Sequence, residues 1–461
     1  MKTEKISLRE EIKAHLVIAL PLAAAYLSEM GMVLTDDVIV GRLGALELAA
    51  VGLTGNVVWE VIVIAQAVIA MVGVLVAQAF GAEEHDRIGH LVRQGFWIAI
   101  ALSIPTTIFC FYAADILSLS DQDPEVLAVG NEYLRTVAWC VLPLMLFTVL
   151  RCYVSSLSQA TIVMVLSVGA IGLNVILCYG MVHGEFGFPK MGVAGAGWST
   201  TIVCWTMLVG LVGYTACKSG LRRYQVYQNV FDLDLKECWQ ILRLGTPMGG
   251  IAMMEGGLFM AASIMMGTFG FEALAATQIV FGAVGTMFMI SLAIGEAAGI
   301  RVAYGIGAGS RAGARQSGLL GLWMGAGFCV MAGLFFIFGS HMLVGFFLDL
   351  SDPANADILT LCGTLFIIAS AFLLFDGLQA IASRVLRAMK DVFMPMWIAA
   401  LGYWVLGIGS GYIFGFEMGY GPQGIWWGLA FGLCVTGTLL TVRYVILSKF
   451  NRRVDENAFQ T

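Results

Sequence analysis

Along the chain, long apolar runs alternate with short polar connections, twelve times over. A helix needs about 20 largely apolar residues to cross the hydrocarbon of a bilayer. Runs of that kind occupy 15–40, 52–78, 94–117, 132–155, 160–183, 192–217, 241–268, 275–302, 317–343, 358–385, 393–415 and 424–448. They predict an all-α integral membrane protein with twelve transmembrane helices. No connection is long enough to fold as a soluble domain, and the longest, Lys218 to Lys236, reads as a linker between two halves. The first run is too long for a signal-peptide core, and Pro21 sits inside it without a convincing cleavage site, so it is expected to be retained.

Composition narrows the class. The 461 residues are 59% hydrophobic and only 12% charged, whereas soluble domains carry about 25% charged residues. A water-soluble enzyme core and a disordered chain are both excluded. A net charge of -6 leaves no basic surface for nucleic acid. The ten cysteines are scattered without a CxxC pair, mostly inside apolar runs, where they read as small packing residues.

The cations are distributed unevenly, and that sets an expected orientation. With the twelve runs in place, 22 of the 25 Lys and Arg fall on one side, leaving only Arg42, Arg135 and Lys190 on the other. The opposite side is acidic, with Asp121, Asp123, Glu125, Asp349, Asp352 and Asp357. The positive-inside rule then puts both termini in the cytoplasm. An even number of spans agrees with that.

The two halves repeat each other. A shift of 226 residues carries Pro21 onto Pro247 and Glu29 onto Glu255, and "VGRLGALELAAVG" onto "MGTFGFEALAATQ". Further on the shift becomes 229, bringing Gly192, Gly195 and Trp198 onto Gly421, Gly424 and Trp427. Each unit holds six spans, so both copies enter the membrane in the same direction, the parallel-repeat arrangement of many secondary transporters. The expected organisation is a cytoplasmic N-terminus over 1–14, a first lobe over 15–217 and a cytoplasmic linker over 218–240. A second lobe over 241–448 and a cytoplasmic tail over 449–461 complete it, with a central cleft between the two six-helix lobes.

At these same residues the chain resembles the multidrug and toxic compound extrusion (MATE) family, NorM-like branch. The strings that carry the resemblance run through nearly the whole chain. They are "DDVIVGRLGALELAAVGL" and "VAQAFGA" in the first half, then "GTPMGGIAMMEGGLF", "EALAATQI", "IRVAYGIGAG", "LLFDGLQAIASRVLRAMKD" and "GPQGIWWGLAFGL" in the second. Each is weak alone; in this order and spacing they are specific. The resemblance implies alternating access and export of lipophilic organic cations in exchange for Na⁺ or H⁺. It also implies a multi-pass protein of a bacterial inner membrane, acting as a monomer among membrane lipid, with no cofactor and no nucleotide.

Chemistry is expected at acids inside the spans: Glu29, Asp36, Asp37, Glu60, Glu255, Glu296 and Asp376. An ionised Asp at a helix centre costs about 2.5–3.5 kcal/mol, so each must find a cation, take up a proton or line water. No lysine lies deep in a span, and Arg301 and Arg384 fall near span ends, so internal cations look too few. Seven residues separate Glu29 from Asp36, about two turns, which puts both on one helix face; Asp37 is turned about 100° away. The resemblance assigns cation coupling and substrate binding, with Na⁺ as one coupling ion, to Asp36, Glu255 and Asp376. It adds Asn174 as an amide near the first-lobe acid and Gln278 in the "ALAA" string. Glu29, Asp37, Glu60 and Glu296 are secondary candidates, and Glu296 could also meet Arg301. Asp37, Glu296 and Cys178 depart from the family's usual residues. Met248, Met253, Met254, Met260, Met265 and Met266 read as core packing or as an adaptable thioether surface.

Rival classes lack their signatures. A lipid-linked precursor flippase of the same superfamily favours a basic cleft to hold pyrophosphate. No HExxH, GxSxG or GxxxxGK[ST] string occurs to suggest an intramembrane enzyme or a nucleotide-driven pump. A channel would not need two competing acidic lobes.

Overall fold

The computed structural model describes residues 7–120, 122–345 and 355–450. Lys2, Lys5, Asp121, Asp349, Asp352, Arg452 and Arg453, which entered the charge-side argument, lie outside the described residues. Among the described residues all regular structure is helical, and twelve helices are long and apolar enough to cross a membrane. They are α1 (Leu8–Gly41), α2 (Ala45–Gly81), α3 (His85–Leu117), α4 (Pro124–Ser156), α5 (Thr161–His183) and α6 (Val193–Cys217). The second set is α7 (Leu235–Gly267), α8 (Phe271–Gly307), α9 (Arg311–Gly345), α10 (Ala356–Ala388), α11 (Phe393–Glu417) and α12 (Gly421–Lys449).

Each expected span has its helix, but many helices run on past the apolar run that announces them. Arg87, Arg93 and Arg387, outside the apolar runs, are helical, as are Arg151, Arg301 and Arg384 near the ends of theirs. The reason is physical. Hydropathy reports only the stretch inside hydrocarbon, whereas the backbone keeps its hydrogen bonds by staying helical, and long arginine stems reach polar surroundings from inside a helix. Helix ends follow local chemistry where it is present. Asp123 caps α4 by accepting from the Glu125 amide at 2.9 Å, with Pro124 in the first turn. Gly184 stops α5 with φ +79°, a left-handed conformation that costs glycine little.

The chain divides into two compact units. One comprises residues 1–19 with 250–461; the other comprises 20–249. The division cuts α1 between Ala19 and Leu20 and α7 between Gly249 and Gly250. Both cuts lie within three residues of the repeat-related Pro21 and Pro247, which sit inside those helices. A proline removes one i→i−4 hydrogen bond and weakens the helix there.

Within residues 250–461, α11 and α12 meet through glycine. A side-chain carbon on Gly428 would lie 2.2 Å from the Gly411 nitrogen, and one on Gly432 would lie 2.5 Å from the Gly402 carbonyl oxygen. Small residues of this kind let membrane helices touch backbone to backbone. α11 is α-helical over Phe393–Ala400, widens to π-helix over Leu401–Ile408, tightens over Gly409–Tyr412 and widens again over Ile413–Glu417. Within residues 20–249, the segment joining α6 to α7 is docked on α3. Gln94 and Trp97 donate to the carbonyls of Asp232 and Val230 at 2.8 and 2.9 Å, and Arg93 to that of Gln225 at 3.1 Å.

Candidate functional site

Two buried acids with polar neighbours stand out, one in each unit. In residues 20–249, Asp36 projects from the second half of α1 and is 9% exposed. Asn174 of α5 donates to its Oδ1 at 3.1 Å and Thr200 of α6 donates to its Oδ2 at 3.0 Å. The Cys178 thiol, one turn beyond Asn174, also faces the carboxyl group. Asn174 is itself buried and its Oδ1 has no hydrogen-bond partner. The fully buried Tyr133 of α4 lies within electrostatic reach of Asp36 and Asp37. Asp36 and Asn174 thus come together as the resemblance implied; Asp37 stays half-buried beside them.

Glu29 does not join that group. Its Oε1 accepts from Arg151 of α4 at 3.1 Å, and the same guanidinium lies 5.2 Å from the centre of the Tyr26 ring. The shared helix face predicted from the seven-residue spacing is therefore divided between two partners. Glu60 on α2 is half-buried, and its Oε1 has no partner.

In residues 250–461, Asp376 of α10 is 1% exposed and its Oδ1 has no hydrogen-bond partner. Glu255 of α7 is close enough for the two like charges to act on each other. The buried Tyr403, in the first wide stretch of α11, feels both acids, and its hydroxyl has no partner. Gln379, one turn after Asp376, presents a third unpartnered buried oxygen. Oxygens of this kind suit a proton or a small hard cation far better than they suit hydrocarbon. No group of three His, Cys, Asp or Glu that could hold a metal ion occurs among the described residues.

An aromatic wall continues the site. Phe259 lies one turn after Glu255 on α7, and Phe372 one turn before Asp376 on α10. Phe259 packs on Phe281 at 5.2 Å and on Phe372 at 6.1 Å, while Trp426 meets Phe281 at 4.9 Å and Phe372 at 5.6 Å. Acids beside aromatic faces form a surface that attracts a cation with apolar bulk. Gln278 on α8 is exposed and donates to Ser263 Oγ at 3.3 Å.

Two expectations about charge need correcting. Glu296 does not meet Arg301. It accepts from Arg387 at 2.7 Å and lies 3.4 Å from Arg384 Nε, whereas Arg301 pairs with Glu11 at 2.7 Å. Nor are internal cations scarce, because Arg151 serves the half-buried Glu29, and Arg384 and Arg387 serve the half-buried Glu296. Arg151 and Arg384 lie inside apolar runs near their ends, Arg387 lies just beyond one, and all three are helical. A cavity of about 580 Å³ between α4 and α6, lined by Trp139, Trp198 and Trp205, has no acid in its lining.

Sequence reasoning passed over Thr200, Tyr133, Tyr403, Gln379 and the four-ring wall. A signal for one of them existed, since the 229-residue repeat shift that matches Gly192 to Gly421 also carries Asn174 onto Tyr403.

The family model described as MatE matches residues 21–180 and 247–413. The chain belongs to the MATE family. It is 35% identical to the multidrug resistance protein NorM of Burkholderia vietnamiensis over 93% of this chain and 92% of that one. To a probable multidrug resistance protein NorM of Synechococcus it is 32% identical over 99% of both. Among solved structures, the eukaryotic MATE transporter AtDTX14 superposes with a TM-score of 0.85 at 20% identity, covering 95% of this chain and 96% of its own. A transporter from Pyrococcus furiosus, described as having a binding pocket of reverse polarity that suggests a different function, superposes with a TM-score of 0.85 at 17% identity, covering 97% and 99%. These superpositions establish the MATE fold for a multi-pass, all-helical protein, and the relatives are named as resistance proteins and transporters, not as enzymes.

Proposed function

We propose that this protein exports lipophilic organic cations through alternating access, in exchange for Na⁺ or H⁺ moving inward. Support comes first from one observation: Asp376 is buried beside Glu255 with a carboxylate oxygen unpartnered, next to a wall of four aromatic rings. Two acids so placed bind a cation better than they tolerate each other's charge. An inorganic ion or proton and an aromatic cation compete for the same negative field, and such exclusion is the minimum requirement of antiport. Glu255, Asp376, Tyr403 and Gln379 supply oxygens for the coupling ion; Phe259, Phe281, Phe372 and Trp426 supply the apolar surface for the drug. Asp36, with Asn174 and Thr200, is the second cation-responsive acid. A potential of 100 mV adds about 2.3 kcal/mol for each positive charge moved inward. The acidic interior separates this reading from a flippase of pyrophosphate-linked lipids, which needs a basic cleft. The distribution of cations supports cytoplasmic termini, and kinship with NorM proteins supports a bacterial inner membrane.

Efflux of a fluorescent lipophilic cation from whole cells, with Na⁺ and pH gradients imposed separately, tests this reading. One gradient is expected to drive export. Glu255→Gln and Asp376→Asn should each insert normally and lose gradient-driven export by tenfold or more. Wild-type export in both variants removes the acids from the mechanism, and export indifferent to either gradient ends the antiport reading.

A further inference from the structure

Arg384 is the internal positive charge nearest the acid pair in sequence, and its placement is unusual. Its stem passes Gly295 of α8, where any side-chain carbon would sit 2.9 Å from Arg384 Cδ. Its Nη1 donates back along α10 to the Ala380 carbonyl at 3.0 Å, one turn toward the helix start from its own position. The charge acts on Asp376 and on Tyr403. On its other side, Arg384 Nε lies 3.4 Å from Glu296 Oε2, the oxygen that also accepts from Arg387 at 2.7 Å. Glu296 therefore faces two guanidinium groups.

We propose that Glu296 is a positioning residue that holds Arg384 back from Asp376 and Glu255, and thereby sets the ion concentration at which those acids bind the coupling cation. The charge count gives the reason. Glu255, Glu296 and Asp376 against Arg384 and Arg387 leave one net negative charge for an incoming monovalent cation to neutralise. With Glu296 made neutral, two arginines balance two acids, and Arg384 is free to answer Asp376 in the ion's place. At the effective dielectric of a protein interior, a unit charge at a separation on the order of 10 Å changes a cation's affinity on the order of tenfold, which sets the size of effect to look for. Removing Arg384 acts in the opposite direction, because it takes away a resident positive charge that acts on Asp376.

This inference rests on the antiport reading above, and its test separates the two. Purified protein in proteoliposomes is assayed for uptake of a fluorescent cation while the driving Na⁺ or H⁺ concentration is varied, yielding a half-saturating ion concentration and a maximal rate. Glu296→Gln should raise the half-saturating concentration about tenfold, and Arg384→Gln should lower it below wild type. The double variant Glu296→Gln/Arg384→Gln should fall back from the single Glu296→Gln value. A merely structural role would lower the amount of folded protein and the maximal rate in both single variants, without moving half-saturation in opposite directions. Should Glu296→Gln fail to fold, Arg384→Gln with unchanged or weakened ion dependence overturns the proposal by itself. Asp376→Asn run alongside distinguishes the failures. If it abolishes ion-driven uptake while Glu296→Gln keeps wild-type half-saturation, only the positioning role is lost; if it transports normally, both readings fall.

Discussion

Glu11 offers a sharp test of what fastens the first half of α1 to the unit built from residues 250–461. It is 2% exposed and receives a two-pronged guanidinium, with Arg301 Nη2 at 2.7 Å from one oxygen and Nε at 3.1 Å from the other. Ser317 donates its hydroxyl to the same carboxylate, and His15, also buried, bridges the Glu11 and Ser317 carbonyls at 3.0 and 3.1 Å. Changing Arg301 to Gln leaves that carboxylate without its positive partner. Breaking a buried pair from one side costs about 3–5 kcal/mol. The Arg301 side chain is 15% exposed, so a little water reaches it and the low end, about 3 kcal/mol, is expected. At 1.4 kcal/mol per decade, that is roughly a hundredfold faster thermal inactivation if the contact is broken before the unfolding barrier. The measurement is the half-life of monodisperse, detergent-solubilised protein at a fixed temperature, followed by size-exclusion chromatography. Glu11→Gln/Arg301→Gln should be more stable than the sum of the single effects predicts, since two facing amides leave no buried charge unanswered. A half-life for Arg301→Gln within twofold of wild type, or strict additivity in the double variant, would refute the reasoning.

Three other expectations concern packing, the linker and orientation. Gly428→Ala and Gly432→Ala force α11 and α12 apart and should cost about 1–3 kcal/mol each, visible as lost monodisperse yield; Gly409→Ala, with nothing within 4 Å, should be neutral. The Asp234 side chain accepts from the backbone N–H groups of Lys236 and Glu237, which holds its carboxyl below the usual aspartate range. Its contribution is therefore present at neutral pH and fades only as pH falls below that range, so Asp234→Ala should speed proteolysis of the 218–234 segment at pH 7, with the difference from wild type shrinking as pH falls below the usual aspartate range. Cys217 is the one exposed cysteine of the ten. An impermeant maleimide should label it in inside-out vesicles and leave it unlabelled in right-side-out ones, and the reverse pattern would invert the proposed orientation.

Much of this protein was legible one residue at a time. Membrane crossing depends on local apolar content, which adds along a segment, so the twelve helices and the repeat could be read directly from the chain. The rarity of acids in hydrocarbon likewise marked seven positions from Glu29 to Asp376 without any knowledge of packing, and the family resemblance picked Asp36, Glu255 and Asp376 from among them. Partnership is a different kind of information. Whether Glu29 answers Arg151, or Glu296 answers Arg384 and Arg387 in place of Arg301, depends on the rotation and axial position of helices far apart in sequence. One residue along a helix turns a side chain by about 100°, and hydropathy does not fix that angle. Thr200 at Asp36, Tyr403 at Asp376 and the ring wall around Trp426 arise in the same way, from contacts between spans that only the folded chain brings face to face.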